Sequence, residues 1–254
     1  MRIVSWNLAR NTTSRSNPSH ERAWHFLAAL DPDIALIQEA WPPVWASDRW
    51  TIVNAKTKYW GSAILAKPEL ALEPMDLERP TRWDKDGYLA SGSIKLPDSR
   101  RLVLGSVHAP LMKSLTVEYL AGLDATAIKL PSYSTAFYYD VPYALFQERV
   151  RDLFIVGGDW NVSPELWDAH HRNSYEREFF ERAAADGWVD CYRRFHDVEG
   201  QTWFRKNNRP YQMEHVFCDP KTADQIRSCE IEPFPAASLA VSDHAAVVLE
   251  LEPI

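Results

Sequence analysis

Leu153-Phe-Ile-Val-Gly-Gly-Asp-Trp-Asn161 is the stretch on which the reading of the fold turns. Its first four residues are apolar and partly β-branched, the composition of a buried strand. Two glycines follow, where the backbone turns tightly or lets another group approach closely. Asp159 and Asn161 then set a carboxylate and a carboxamide one residue apart. Continued strand geometry aims both side chains the same way, because the side-chain period of a strand is two. A strand running into a type I turn, with Asp and Asn as ordinary turn formers, accounts for the same residues. The rest of the chain has to decide.

Working outward, other apolar runs end in the same manner. Residues 2–6 lead to Asn7, 34–38 to Glu39, and 101–107 to His108. A closing run, 245–251, starts directly after Asp243-His244. If that last strand runs opposite to the others, all five sets reach one edge of the sheets, and strand-end crevices are where α/β scaffolds commonly place ligands. Singly, Glu39 suits a helix start, His108 a satisfied core imidazole and Asp243 a turn. Five coincidences in one positional role favour a site.

The remaining elements are ordinary. Ser19 caps a helix over 20–30, and a second helix over 175–186 stops at Gly187. Further strands fall at 51–54, 61–66, 88–96 and 212–218. Residues 111–150 hold a helix over 115–130 and an aromatic cluster, and a second helix over 144–152 follows; the segment is read as packing under a long connection in preference to a substrate lid. With 254 residues, no internal repeat and no Gly/Ser-rich linker, a single domain over 1–254 is the simplest organisation.

The net charge of −7 counts against a tight, static nucleic-acid binder, but does not exclude an enzyme that holds phosphates through a metal ion. Three cysteines without paired short spacings exclude a zinc cluster and suit a reducing cytoplasm. The first residues run straight into a strand with no signal-peptide apolar region, and no apolar run is long enough to span a bilayer. A cytoplasmic protein is therefore expected.

Asn7 after its strand, Ile37-Gln-Glu39, Ser106-Val-His108, Gly158-Asp-Trp-Asn161 and Ser242-Asp-His244 together resemble the endonuclease/exonuclease/phosphatase superfamily. Gly187-Trp-Val-Asp-Cys-Tyr-Arg193 and Gln201-Thr-Trp203 look like the connector of its nuclease branches, so the resemblance spans residues 1 to 251. It implies a four-layer α/β sandwich, two face-to-face mixed β-sheets flanked by helices. It also implies a divalent-metal-dependent phosphodiester hydrolase using Mg2+, with Mn2+ as a substitute. Such hydrolysis needs neutralised phosphoryl oxygens, an in-line water and help for the leaving oxygen. The resemblance makes Glu39 the principal metal ligand, with Asn7 and Asp243 close to the ion. Asp159 orients or deprotonates the attacking water, and Asn161 fixes phosphate and water. His244 donates to a non-bridging oxygen or serves as general base, and His108 contacts the phosphate or assists the leaving group.

Two departures are visible. Where the superfamily usually pairs its last histidine with an aspartate, this chain has Glu214, whose extra methylene moves the carboxylate by about one carbon–carbon bond. Abasic-site endonucleases usually carry a tyrosine and an acidic residue where this chain has His108 and Ala9, which counts against a dedicated abasic-site enzyme. Arg10, Arg15, Arg82, Trp83 and a 203–209 loop with Trp203 and Arg205 offer backbone and base contacts, making a nuclease acting on nucleic acid the leading reading. Solvated basic loops are the plain alternative. A phosphatase or phosphodiesterase acting on a small phosphorylated metabolite or lipid headgroup fits the acidic balance and His108. A non-catalytic binding module on the same fold is the third reading. No protein partner follows from the sequence.

Overall fold

The computed structural model describes residues 1–9, 18–56, 60–76, 87–109, 153–164, 174–204, 211–232 and 241–252. Arg10, Arg15, Arg82, Trp83, Arg205 and the 111–150 segment lie outside them. In chain order the elements are β1 (Arg2–Asn7), α1 (Pro18–Ala29), β2 (Ile34–Ala40), β3 (Thr51–Lys56), β4 (Gly61–Ala66), β5 (Glu73–Pro74), β6 (Leu89–Lys95) and β7 (Arg101–His108). They continue with β8 (Leu153–Asp159), α2 (Ser174–Ala185), β9 (Val189–Asp190), β10 (Glu214–Cys218), α3 (Pro220–Ala223), β11 (Ile226–Ile231) and β12 (Val247–Leu251).

Two mixed six-stranded sheets result, ordered β11-β12-β1-β2-β4-β3 and β5-β6-β7-β8-β10-β9. A core of Leu36, Ile64, Leu104, Ile155 and Val216 fills the space between them. Ala23, Trp24 and Leu27 of α1 close the outer face of the first sheet. Phe179 and Ala183 of α2 close the second, against Trp160 and Phe217. This is the expected four-layer sandwich. It explains why β8 reads as an unbroken apolar run: Leu153 and Ile155 face the other sheet, Phe154 and Val156 face the helix layer, and neither side meets water.

The glycines of the deciding stretch serve close approach, not a turn. A Cβ at Gly157 would stand 2.9 Å from Leu36 Cδ1, and one at Gly158 only 1.8 Å from the Val107 carbonyl oxygen. Both lie inside β8, which runs parallel to β7 and antiparallel to β10.

Chain direction then collects the polar strand ends. β1 and β2 are parallel, as are β7 and β8, while β12 runs antiparallel to β1 as anticipated. The register puts His108 opposite Asp159 on one side, and Glu214 opposite Asp159 on the other. The ladder itself brings three of the site residues into line.

Some boundaries differ from the expectation. Helix α1 starts at Pro18, so Ser19 falls in the first turn instead of capping it; a proline is pre-organised for that opening position. Strand β11 escapes the sequence pattern because a bulge between Ile226 and Ser228 shifts its register, leaving Ile226 and Cys229 buried at a spacing of three. Gly187 does end α2, with φ 75° and a bond from Trp188 N–H back to Ala183 O.

Asp219 locks the start of β8 to the short helix α3. One carboxylate oxygen accepts the Lys221 and Thr222 N–H groups, and the other accepts Phe154 N–H at 2.8 Å and the Thr222 hydroxyl. Asp219→Ala leaves these buried donors unmet and is expected to destabilise the fold by about 2–4 kcal/mol, read from urea denaturation.

Candidate active site

The site is built from strand ends that turn sharply. Asn7 Oδ1 accepts Ala9 N–H at 2.8 Å, and Asp159 Oδ1 accepts Asn161 N–H at 2.9 Å. Both are side-chain-capped turns, and their last residues are left-handed, with φ 45° at Ala9 and 54° at Asn161. Glu39 is left-handed too, with φ 46°. Three non-glycine residues in this sparsely populated region line one rim, the kind of strain that clusters at functional sites. Asp159 and Asn161 therefore converge through a turn. The expected continuation of strand geometry to Asn161 does not hold, because the Asp159 side chain bends the backbone at the end of β8.

Each turn spends one oxygen on the backbone and frees the other atom for the centre. Asn7 Nδ2 donates to Asp159 Oδ2 at 2.8 Å and to Glu39 Oε1 at 3.2 Å. His108 Nε2 lies 3.2 Å from the same Glu39 oxygen and 3.8 Å from Asp159 Oδ2. His244 Nδ1 makes a short bond to Glu214 Oε1 and sits 3.9 Å from Asp159 Oδ2. Asn161 Nδ2 donates to Ala109 O at 2.7 Å, fixing its carboxamide beside the cluster. Asp159 and Glu214 are almost wholly buried, whereas Asp243 stays at the rim, 47% exposed, with Oδ1 3.7 Å from His244 Nε2.

Several contributors were not anticipated. Ser242 Oγ donates to Asn7 O at 2.7 Å and accepts His244 N–H at 3.0 Å, tying two strand ends together. Thr202 Oγ1 accepts the N–H groups of Met213 and Glu214, while Thr202 O accepts Ala245 N–H at 2.7 Å. Trp203 bridges Tyr211 and His244. Residues 202–204 thus form a strap between the segments bearing Glu214 and His244, which belong to different sheets. Trp60 and Tyr88 wall His108, with Trp60 edge-on to the imidazole at a centroid distance of 5.1 Å. The Ser-Asp-His order carried a signal for Ser242; an isolated Trp60 or Tyr88 carries none.

Electrostatics sets the charge states. Burial pushes the Glu39 carboxyl up, but His108 and the Asn7 amide outweigh it and hold it below the usual carboxylate range. Burial favours a neutral His108, yet the Glu39 hydrogen bond and the charges of Asp159 and Glu39 raise it. Burial likewise opposes charge on His244, and Glu214, Asp159 and Asp243 overcome it to lift the group to about 10. Glu214 is raised, chiefly by burial and against the pull of His244. Among the described residues its second oxygen, Oε2, has no hydrogen-bond partner.

The donor set fits a hard divalent cation. Ligand atoms of Glu39, His108 and Asp159 all lie within 4.8 Å of one another, and such ions take one or two carboxylates while keeping waters. Glu39, with 29% of its side chain exposed, faces the approach from solvent. Asn7, as seated, turns its amide nitrogen to both carboxylates and spaces them. A second grouping, Asp159, Glu214 and His244, is occupied by its own short imidazole–carboxylate bond.

Comparison with known proteins agrees with the fold. The chain superposes on the structure of 3' phosphatase NExo from Neisseria bound to product DNA hairpin, with TM-score 0.71 and 20% identity over 99% of each chain. An AP endonuclease from Archaeoglobus fulgidus gives TM-score 0.70 and 16% identity over 100% of each chain. AP endonuclease LMAP from Leishmania major gives 0.70 and 17% over 99% of this chain and 88% of its own. At these identities the likeness establishes the fold. A search of curated proteins by sequence returns no match. The model of the Endonuclease/Exonuclease/phosphatase family matches residues 4–244, and with the strand-end site in place the chain belongs to that family.

Proposed function

We propose that the chain is a single catalytic domain, a divalent-metal-dependent phosphodiester hydrolase acting on nucleic acid. The observation that carries this reading is one hydrogen-bonded cluster joining Glu39, Asn7, His108 and Asp159, backed by the Glu214–His244 pair. Glu39 would be the principal ligand of the ion, Mg2+ or Mn2+, with Asp243 near it at the rim. When bound, the ion neutralises phosphoryl charge and lowers the pKa of a coordinated water.

The chain's own residues supply the rest. Asp159 Oδ2 orients the attacking water and receives its proton. Asn161, anchored on Ala109 O, presents its carboxamide to the phosphate. His244 is charged at neutral pH, which favours its role as donor to a non-bridging oxygen over that of general base. Glu214 keeps that charge in place, so the replacement of aspartate by glutamate preserves the pair. His108 stands where it can donate to the phosphate or the leaving oxygen.

Nucleic acid is favoured as substrate by the structural neighbours, which include AP endonucleases and a phosphatase bound to DNA. Three free, buried cysteines suit a cytoplasmic setting, and among the described residues no helix is long and apolar enough to cross a membrane. The test is hydrolysis of labelled single- and double-stranded DNA and RNA beside bis-p-nitrophenyl phosphate and p-nitrophenyl phosphate. Polymer and diester cleavage is expected. Turnover of the monoester or small phosphoesters alone would replace the nuclease reading with a phosphatase.

A further inference from the structure

His215 follows Glu214 on β10 and is 1% exposed, on the side away from the site. Each of its ring nitrogens faces hydrogen-bond acceptors. Nδ1 lies 3.2 Å from Asp190 Oδ2, and Nε2 lies 3.1 Å from Val162 O and 3.0 Å from Gln212 O. A neutral imidazole carries one N–H and would set its bare nitrogen against an oxygen lone pair; an imidazolium satisfies both ends. Gln212 Nε2, which gives one hydrogen to Glu214 O at 3.1 Å, also approaches Nδ1, but at 3.5 Å, farther than the Asp190 carboxylate oxygen. Burial works against charge on this ring, while Asp190 and Glu199 favour it and raise the group overall.

What the ring grips is the active-site turn. Val162 follows Asn161, and the preceding residue is fastened to the same segment: Trp160 N–H donates to Met213 O at 2.9 Å and Trp160 Nε1 to His215 O at 3.1 Å. Phe180 and Phe217 flank the imidazole and block tilting, with centroid distances of 5.0 and 5.9 Å. Asp190 is itself fixed, its other oxygen accepting Tyr192 and Arg193 N–H. The strained Asn161 turn therefore has a rigid backing running from Asp190 through His215 to Val162.

We propose that His215 is a positioning residue: as a buried imidazolium braced by Asp190, it clamps the Asn161–Val162 turn and so sets where Asp159 and Asn161 meet the phosphate. This rests on the proposed hydrolase reading for its effect on rate, but not for its effect on the turn. His215→Phe keeps a ring between Phe180 and Phe217 and removes both N–H groups. Asp190→Asn keeps the ring and removes the brace.

Misplacement of reacting groups by a fraction of an ångström is costly, so kcat for His215→Phe is expected to fall about ten- to a hundredfold with KM changed by less than about twofold. Asp190→Asn should give a smaller fall of the same kind. Nitrogen-15 spectra of the wild type should show both His215 ring nitrogens protonated at neutral pH, and amide exchange at Trp160 and Asn161 should quicken in both variants. A single neutral tautomer in the wild type overturns the clamp, whether or not any variant folds. So does unchanged exchange at Asn161, or a kcat that stays at wild-type level in folded protein. If the wild type hydrolyses no phosphoester, the spectra still judge the clamp, and only the hydrolase reading falls.

Discussion

Asp159→Asn is expected to lower kcat for phosphodiester hydrolysis by roughly 10^2–10^4-fold while leaving a folded protein. The carboxylate stands among Asn7, His108, His244 and the Asn161 turn. Its Oδ1 caps the Asn161 turn, and its Oδ2 faces Asn7, His108 and His244. An amide keeps the capping oxygen but turns an N–H2 toward Asn7 Nδ2, replacing one hydrogen bond by a donor–donor contact. That conflict costs about 1–3 kcal/mol. Removing one buried negative charge beside Glu214 offsets part of it. The variant should therefore melt within a few degrees of wild type, with an unchanged far-ultraviolet circular dichroism spectrum. Activity within a few-fold of wild type would remove Asp159 from the mechanism.

Gly158→Ala is expected to cost folding, not chemistry. The new methyl would lie 1.8 Å from Val107 O, 2.7 Å from its carbonyl carbon and 2.9 Å from its nitrogen, all backbone. No rotamer change relieves a clash with backbone. Strand β7 would have to move from β8, breaking the parallel register that aligns His108 with Asp159. Overpacking of this kind is expected to cost about 3 kcal/mol or more, which for a chain of this size lowers the melting temperature by roughly 6–12 °C. Gly157→Ala is the comparison. Its Cβ meets the far ends of Leu36, Ser5 and Val216 side chains, which have some room to shift, so its melting temperature should drop less.

The sequence made the strand ends visible because each buried run stops on a polar residue. Asn7, Glu39, His108 and Asp159 stand where that pattern puts them, and the antiparallel closing strand brings His244 to the same edge. The two-layer sheet core is legible for the same physical reason: strands covered on both faces have nowhere to place polar residues.

What the pattern missed is non-local or conformational. The left-handed backbone at Glu39 has no residue signature, since glycine is the usual occupant, and at Asn161 the signal is only that asparagine tolerates this region better than most residues. Thr202 acts through a hydroxyl that accepts two backbone N–H groups from a segment eleven and twelve residues on, a role no spacing rule announces. His215 adjoins Glu214 in the chain but faces the helix layer, so its partners are known only once β8, β9 and β10 pair. Trp203, expected to touch substrate, contributes its backbone to the strap beside His244.

On the proposed reading, a divalent ion held at Glu39 is required for phosphodiester hydrolysis. The most direct measurement is turnover of a labelled DNA and of bis-p-nitrophenyl phosphate after EDTA treatment and gel filtration, with Mg2+ or Mn2+ titrated back into wild type and Glu39→Gln. Expected are no turnover in EDTA, full recovery of the wild type on metal addition, and a Glu39→Gln variant that needs at least about tenfold more metal or does not recover. Hydrolysis that persists in EDTA, or a Glu39→Gln protein with the metal dependence of the wild type, would contradict it.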